Sequence, residues 1–357
     1  MSREIAVCVG ISWWKRRRIA DFLATPMGKP VFRRSVAAAI EAAERRGGTI
    51  AVWATREPQG LAAAAASRRI PLVRIEDGFL RSVGLGSDFL PGASIVLDEA
   101  GIYFEPSQES DLERLLRGGE FDATLLARAR RLIDRIVTGG ITKYNLREHG
   151  PRIEWPRGRR RILVPGQVED DLSVRLGGDD VRGNLDLLAR VRVANPGAFI
   201  VYKPHPDVVA GHRKGAVSAA AARRYADAIT RRGSIAGLLG EIDELHTLTS
   251  LSGFEALLRR VPVTVYGRPF YAGWGLTRDV TPWDRGRRLM LEELAAGALI
   301  LYPRYLDPVT RKLCDPETLI DRFEQRELWR SGLVVRTRRL QGMLIDALRP
   351  RMPHFPR

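Results

Sequence analysis

The sequence predicts an α/β fold of two consecutive Rossmann-like domains, and three observations carry that expectation. Short β-branched runs alternate with helix-period segments, the pattern of parallel strands joined by helical crossovers. The length, 357 residues, exceeds what one hydrophobic core serves. A stretch rich in Gly and Pro, 138–158, interrupts the periodicity near the middle.

In chain order, Ile5 to Val9 and Thr49 to Thr55 are β-rich runs around an Ala-rich helical segment, Ser35 to Arg46. Pro71 to Ile75 follows the helical stretch Leu61 to Arg68. Ala93 to Leu97 and Gly101 to Phe104 read as a small hairpin, ahead of helices at Asp111 to Gly118 and Ala123 to Val137. The segment holding Gly139, Gly140, Gly150, Pro151, Pro156 and Gly158 reads as the interdomain linker, with a boundary near residue 155. Beyond it, Arg161 to Val164, Phe199 to Tyr202, His246 to Thr249 and Val261 to Val265 read as strands. Helical segments at Asn184 to Val193, Val217 to Thr230 and Glu255 to Leu258 separate them. Leu289 to Leu301 and Pro316 to Leu348 read as amphipathic helices with Arg at many outward positions. The expected units are 1–155, an N-terminal Rossmann-like domain; 156–310, a C-terminal one; and 311–357, a basic helical segment. Two such halves facing across a cleft, with C-terminal helices, make a GT-B-like arrangement, in which ligands bind where strand C-termini meet.

The formal net charge of +16 favours anionic partners: nucleic acid, acidic lipid headgroups or an acidic substrate. A solvated basic surface is the plain alternative. No basic region, zinc spacing or aromatic RNP segment points to nucleic acid. Cys8 and Cys314 are far apart, with neither a disulfide framework nor metal-ligand spacing, which suits a reducing cytoplasm. With no signal-peptide pattern and no run of about 18 apolar residues, the expectation is a protein that visits a membrane surface without crossing it.

Five segments are candidates to carry chemistry. Strand Ile200 to Lys203 runs into Pro204, His205 and Pro206, so His205 stands on a stiff turn at the edge of the second sheet. It can donate to a phosphate beside the Lys203 cation, or simply cap neighbouring carbonyls. Thr249 to Glu255 follows another strand and enters a helix, so Ser250, Ser252 and the amide of Gly253 stand at an anion-attracting helix N-terminus. The same residues fit a plain capping box of Ser252 with Glu255.

After a third strand, Gln167 leads to the acids Glu169, Asp170 and Asp171. They read either as solvated surface or as the carboxylate that attacks or shields an anomeric centre, with Asp171 the candidate. In the first domain Glu76, Asp77 and Arg81 also follow a strand. Glu76 can relay a proton from an acceptor hydroxyl while Asp77 or Arg81 orients it, and a structural Glu-Arg pair fits equally. The choice between Glu76 and Asp77 stays open. Tyr266, Phe270, Tyr271 and Trp274, interleaved with glycines, suit either sugar contacts or interface packing. His149, His212, His246 and His354 show no ligand spacing, so no metal is expected.

Taken together, these segments resemble the capsule polysaccharide biosynthesis family of β-Kdo transferases, the KpsC/LipB type. The resemblance runs from Gly10 to about Glu327 and is carried by GISWWKRR, RIEDGFLRSVGLGSDF, ITKYNL, PGQVEDD, YKPHPDV, LTSLSGFEALLR, VYGRPFYAGWGLT and LILYPRYLDPVT. It implies a retaining bacterial transferase that uses CMP-Kdo, with no metal or other cofactor. The product would be the β-Kdo linker of an exported capsule, built on a (lyso)phosphatidylglycerol-type lipid or a β-Kdo-terminated glycolipid. The first domain would serve the acceptor and the second the donor. The family's Q-x-x-x-D motif falls on Gln167 and Asp171, making Asp171 the nucleophile of a double displacement. Its His-Pro motif falls on His205 and Pro206, as the phosphate-binding element, with Ser250 and Ser252 on the same phosphate. Glu76 carries over as acid/base. Many family members hold two catalytic modules, whereas this length accommodates one, so the expectation is either a module that makes one linkage type, with a partner transferase supplying the other, or a fragment of a longer protein. The implied location is the cytoplasmic face of the inner membrane, held through basic helices around Arg322 to Arg339. Another CMP-sugar or UDP-sugar transferase, and a non-catalytic capsule-assembly protein, are the competing readings.

Overall fold

The computed structural model describes residues 4–26, 28–84, 90–145, 153–211, 213–231 and 233–329. The first unit opens with strands β1 (Ile5–Val9), β2 (Val31–Arg33), β3 (Thr49–Trp53), β4 (Leu72–Asp77) and β5 (Ser94–Asp98). The second holds β6 (Arg161–Pro165), β7 (Phe199–Lys203), β8 (Ala228–Ile229), β9 (Glu244–Thr247), β10 (Val263–Val265) and β11 (Arg278–Asp279). The chain then returns as β12 (Pro303–Leu306) and β13 (Leu313–Cys314). One sheet runs β13-β12-β5-β4-β3-β1-β2 and the other β11-β10-β9-β6-β7-β8. The second is parallel throughout. In the first, β1 to β4 are parallel, and β5, β12 and β13 are each antiparallel to the strand before them. This is the expected pair of Rossmann-like units facing across a cleft.

The strands form where β-branched residues cluster, and they are buried on both faces, as in β3, where all five residues are buried. Ser35 caps helix Val36–Arg46 and Gly47 ends it at a φ of 65°, which Gly adopts without a Cβ penalty. Helix Arg16–Phe22 and strand β2 lie in a stretch the sequence reading left unassigned.

Four expectations are corrected. Gly101 to Phe104 is not the second arm of a hairpin: the amides of Ala100 and Gly101 bond Asp98 Oδ1 at 3.1 and 2.7 Å and turn the chain, and β5 pairs with β4 and β12 instead. Val217 to Thr230 holds only one helical turn, Ala219–Ala222, before β8 joins β7. The unit expected over 156–310 loses its end, because β12 and β13 complete the first sheet. Helix Pro316–Glu324 follows, burying Leu319, Ile320 and Phe323 in the core that holds Leu132, Ile133 and Ile136. Arg128 grips Glu317 with two 2.8 Å bonds there. Finally, residues 141–145 are not a featureless linker: the amides of Thr142 and Asn145 exchange bonds with each other's side chains at 3.1 and 3.0 Å, and Asn145 Nδ2 donates to Ser82 O.

Residues 330–357 lie outside the described residues, and with them most of the proposed membrane-binding helices; Arg322 itself pairs with Asp307. Among the described residues, no helix is long and apolar enough to cross a membrane.

Candidate active site

Between the sheets lies a cleft of about 670 Å³. Its first wall is the C-terminal end of β4 with the loop from Gly10. Asp77 accepts from Lys15 Nζ at 3.1 Å and pairs with Arg81 Nε at 2.9 Å. Burial alone would raise the Asp77 carboxyl, but the Arg81, Lys15 and Lys143 cations hold it well below the usual carboxylate range. Lys15 stands 3.4 Å from the centroid of the Trp53 ring, and burial lowers its ammonium. Arg81 is 1% exposed and also donates to Ser82 Oγ and Leu90 O, each at 2.9 Å.

Glu76, one residue away, is treated oppositely. Its Oε1 accepts from the Asp77 amide at 3.1 Å, whereas Oε2 is buried with no hydrogen-bond partner among the described residues. Burial pushes this carboxyl up to about 7, with the Asp77 charge adding to the rise. The two neighbouring carboxyls are thus shifted in opposite directions.

The second wall is built from strand ends. Gln167, after β6, is buried; its Oε1 accepts from Thr247 Oγ1, Leu248 N and Thr249 N at 3.1, 3.2 and 3.1 Å, and its Nε2 donates to Thr249 Oγ1 at 3.0 Å. That side chain ties two loops together. Asp171 caps helix Leu172–Gly177 through Oδ1, which accepts from Ser173 N and Oγ at 3.0 and 2.9 Å; Oδ2 is left facing Arg213 at 4.0 Å. After β7, His205 caps helix Pro206–Val209, its Nδ1 accepting from Asp207 N at 3.1 Å. The proton of the neutral ring therefore sits on Nε2, and burial lowers this imidazole. After β9, Ser250 caps helix Leu251–Leu258 by accepting from Ser252 N at 3.2 Å.

The cleft brings together Glu76, Asp77 and Arg81 with Gln167, Asp171, Lys203, His205 and Pro206, and with Ser250, Ser252, Glu255 and Phe270. The predicted capping box does not form. Ser250 takes the cap that Ser252 was expected to hold, and Glu255 accepts instead from the Lys143 amide across the interface at 2.8 Å. Gly253, expected to present its amide to a phosphate, donates it to Ser250 O at 3.0 Å and backs onto the Tyr271 ring with no room for a Cβ.

Of the aromatic cluster only Phe270 reaches the cleft, stacked on Phe79 at 4.5 Å. Tyr266 bonds His246 inside the second unit, Tyr271 donates to Ser250 O at 2.5 Å, and Trp274 is fully buried, donating to Phe270 O. Packing, not sugar contact, explains these three. His149, His212 and His354 lie outside the described residues.

Sequence reasoning gave no individual role to Lys15, Tyr103 or Lys143, all of which line the cleft. Burial opposes the Lys143 charge, but the Tyr144 and Tyr103 phenols and the Asp77 carboxylate around it hold the ammonium above its ordinary range. Adjacency to an aromatic pair and to a Gly-rich segment was the available signal, and neither is specific.

This geometry falls largely within a region of established kinship. The family model for capsule polysaccharide biosynthesis proteins matches residues 48–305. The capsule polysaccharide modification protein LipA of Neisseria meningitidis serogroup A is 44% identical over 315 residues, 87% of this chain and 44% of LipA. The lipopolysaccharide-processing protein LpsZ of Rhizobium meliloti is 44% identical over 257 residues, 71% of this chain and 58% of LpsZ. The chain thus spans less than two thirds of either relative.

Two solved structures from Thermosulfurimonas dismutans superpose closely. The KpsC β-Kdo 2,4 transferase gives a TM-score of 0.76 at 32% identity, covering 90% of this chain and 98% of that one. The KpsC β-Kdo 2,7 transferase gives 0.73 at 34% identity, covering 91% and 100%. With a family model over most of its length, strand-end loops meeting in one cleft, and the fold of two Kdo transferases, this chain belongs to the capsule polysaccharide biosynthesis protein family, of the Kdo-transferase type.

Proposed function

We propose that this chain is a retaining β-Kdo transferase that takes Kdo from CMP-Kdo and passes it to a (lyso)phosphatidylglycerol-type lipid or to a β-Kdo terminus on it. The observation that carries the reading is the pairing of Asp171, held by one carboxylate oxygen on the second wall, with Glu76, near-neutral on the first. Both border the same cleft. The likeness to two Kdo transferases supports the choice of sugar.

In this scheme His205 Nε2, Lys203 and the N-terminus of helix Leu251–Leu258 supply countercharge to the donor phosphate, and no metal ion enters. Asp171 Oδ2 attacks the anomeric carbon, the bond to the phosphate oxygen breaks and CMP leaves. Glu76 then takes the proton of the acceptor hydroxyl as that oxygen displaces Asp171, so two inversions return the original configuration. Arg81 and Lys15 keep Asp77 ionised, and the Asp77 charge helps keep Glu76 protonatable.

The test supplies CMP-Kdo, generated in situ, with a fluorescent β-Kdo acceptor to wild type and Asp171→Ala. Product from wild type alone, β-linked by NMR, supports the scheme. Turnover by both proteins sinks it. The basic charge also suits an anionic leaflet, worth roughly 1 kcal/mol per Lys or Arg near the surface. Peripheral attachment of the full chain is therefore part of the proposal, and failure to float with anionic liposomes at low salt removes it.

A further inference from the structure

The wall that carries Glu76 and Asp77 continues past the cleft. Strands β4, β3, β1 and β2 are parallel neighbours in that order, so their C-terminal ends share one edge of the sheet. The chain leaves β3 through Thr55 and Arg56, β1 through Ser12 and Trp13, and β2 through Arg34. With strands about 4.8 Å apart, that edge runs roughly 15 Å from Asp77 to Arg34. Its loops are pinned. Arg56 Nη1 donates to Ser12 Oγ at 2.7 Å, and Gly10, at a φ of 73°, lies where a Cβ would come within 2.7 Å of the Arg56 carbonyl oxygen. The Lys15 amide donates to Ser12 O at 2.9 Å and closes a turn with Trp13 and Trp14 at its corners. Trp14 lines the cleft, whereas Trp13 is 66% exposed. Among the described residues no other aromatic side chain is exposed.

Beyond Asp77 the unpaired charge on this edge is of one sign. Arg16, Arg33 and Arg56 bond neutral oxygens of Ile11, Phe32 and Ser12, and Arg17 and Arg34 are exposed. None of the five pairs with a carboxylate among the described residues. The nearby acids are engaged elsewhere, Asp21 by Lys29 at 2.9 Å and by Arg311, and Glu57 by Arg74 at 3.0 Å. Arg16 and Arg17 also open helix Arg16–Phe22, where cations oppose the helix dipole and the first turn holds no acid. The fold gains nothing from that placement. An indole beside unpaired guanidiniums matches the two layers of an anionic membrane surface, since the ring settles at headgroup depth and the cations attract acidic lipid. We propose that the strand-end edge carrying Trp13, Arg17 and Arg34 docks on an anionic bilayer and holds the cleft mouth against the headgroups. A lipid-borne acceptor then reaches Glu76 without leaving the membrane. This rests on the reading above that a lipid carries the acceptor, and it puts the contact on the first unit instead of the segment around Arg322 to Arg339.

The test sediments the full chain with vesicles of equal parts phosphatidylglycerol and phosphatidylcholine, and with phosphatidylcholine alone. Wild type is compared with Trp13→Ala, with Arg17→Gln/Arg34→Gln and with Arg336→Gln/Arg338→Gln/Arg339→Gln. Each arginine near an anionic leaflet strengthens binding about fivefold, so the Arg17 and Arg34 pair should weaken binding to anionic vesicles by about 25-fold. Trp13→Ala should weaken it by about tenfold, and bromine-labelled acyl chains should quench its fluorescence less than that of wild type. The C-terminal variant should keep most of the binding. The proposal is overturned if the C-terminal variant alone loses the vesicles, or if wild type binds phosphatidylcholine as tightly as the anionic mixture. Transfer is assayed alongside, to a β-Kdo acceptor in solution and to the same acceptor on a lipid in the vesicles. Trp13→Ala and Arg17→Gln/Arg34→Gln should slow only the second. Equal losses on both acceptors would make the edge a glycan-binding site and overturn the docking. Vesicle binding that depends on these residues, without β-Kdo product from any protein, would remove the transferase reading and keep the surface. Product without that dependence would do the reverse.

Discussion

On the first wall of the cleft Asp77, Lys15 and Arg81 form an ion cluster with pairings at 3.1 and 2.9 Å, whereas on the second wall Asp171, His205 and Ser250 each sit at the start of a short helix. The first arrangement is closed: burial makes each charge depend on the others, so removing one strands its neighbours. The second is open. Asp171 and His205 each engage one atom in the cap, Oδ1 and Nδ1, and leave the other, Oδ2 and Nε2, for a ligand, whereas the Ser250 hydroxyl accepts in its cap and keeps only its proton to donate. A chemical step needs the open kind, and the closed kind sets the electrostatics in which it runs.

The sharpest separation is expected from Asp171→Ala. Loss of a nucleophile should reduce kcat by on the order of 10⁴ or more. Loss of its cap should lower stability by only about 1 kcal/mol, read from urea melts. A rate loss under tenfold would place the attacking group elsewhere. Next is Asp77→Asn, which leaves Lys15 and Arg81 buried against each other and should cost about 3–5 kcal/mol in the same melts. A cost no larger than that of Asp171→Ala would erase the distinction between the walls.

Glu76→Gln probes the junction of the two. The Glu76 carboxyl in the fold, at about 7, lies above its ordinary 4.5, so the fold favours the protonated form. That contribution is fully present below the ordinary value and is lost as pH rises through about 7. Glu76→Gln should therefore melt higher than wild type at pH 8 and lose that advantage on acidification toward pH 4.5. Its kcat/KM should lack the wild-type rise with pH near 7. Ser250→Ala is the mildest change, about 1 kcal/mol for one cap with a modest weakening of CMP binding, seen by thermal shift with and without CMP.

The strand ends were legible where local rules suffice. The apolar strand residues before Pro204 and Thr249 put His205 and Ser250 at sheet edges, and the structure keeps them there. Local rules failed where two candidates were equivalent in sequence. Ser250 and Ser252 both precede a helical run, and the pairing of Ser250 Oγ with Ser252 N decides between them. Tyr271 and Trp274 were ambiguous because an aromatic beside glycine serves a sugar or a core equally. Burial against Gly253 and the Phe270 carbonyl made them core.

By itself the sequence determined the two α/β units, the positions of most strands along the chain and the residues that stand at their C-terminal ends, because hydrophobic period and turn chemistry act over a few neighbouring residues. Tertiary structure alone decided that residues 303–314 complete the first sheet, that a segment read as linker places Lys143 in the cleft, and that the Glu76 and Asp77 carboxyls shift in opposite directions. These outcomes depend on pairings and burial between residues tens to hundreds of positions apart, such as Pro303 against Val96 or Lys15 against Asp77, and no local pattern encodes that distance.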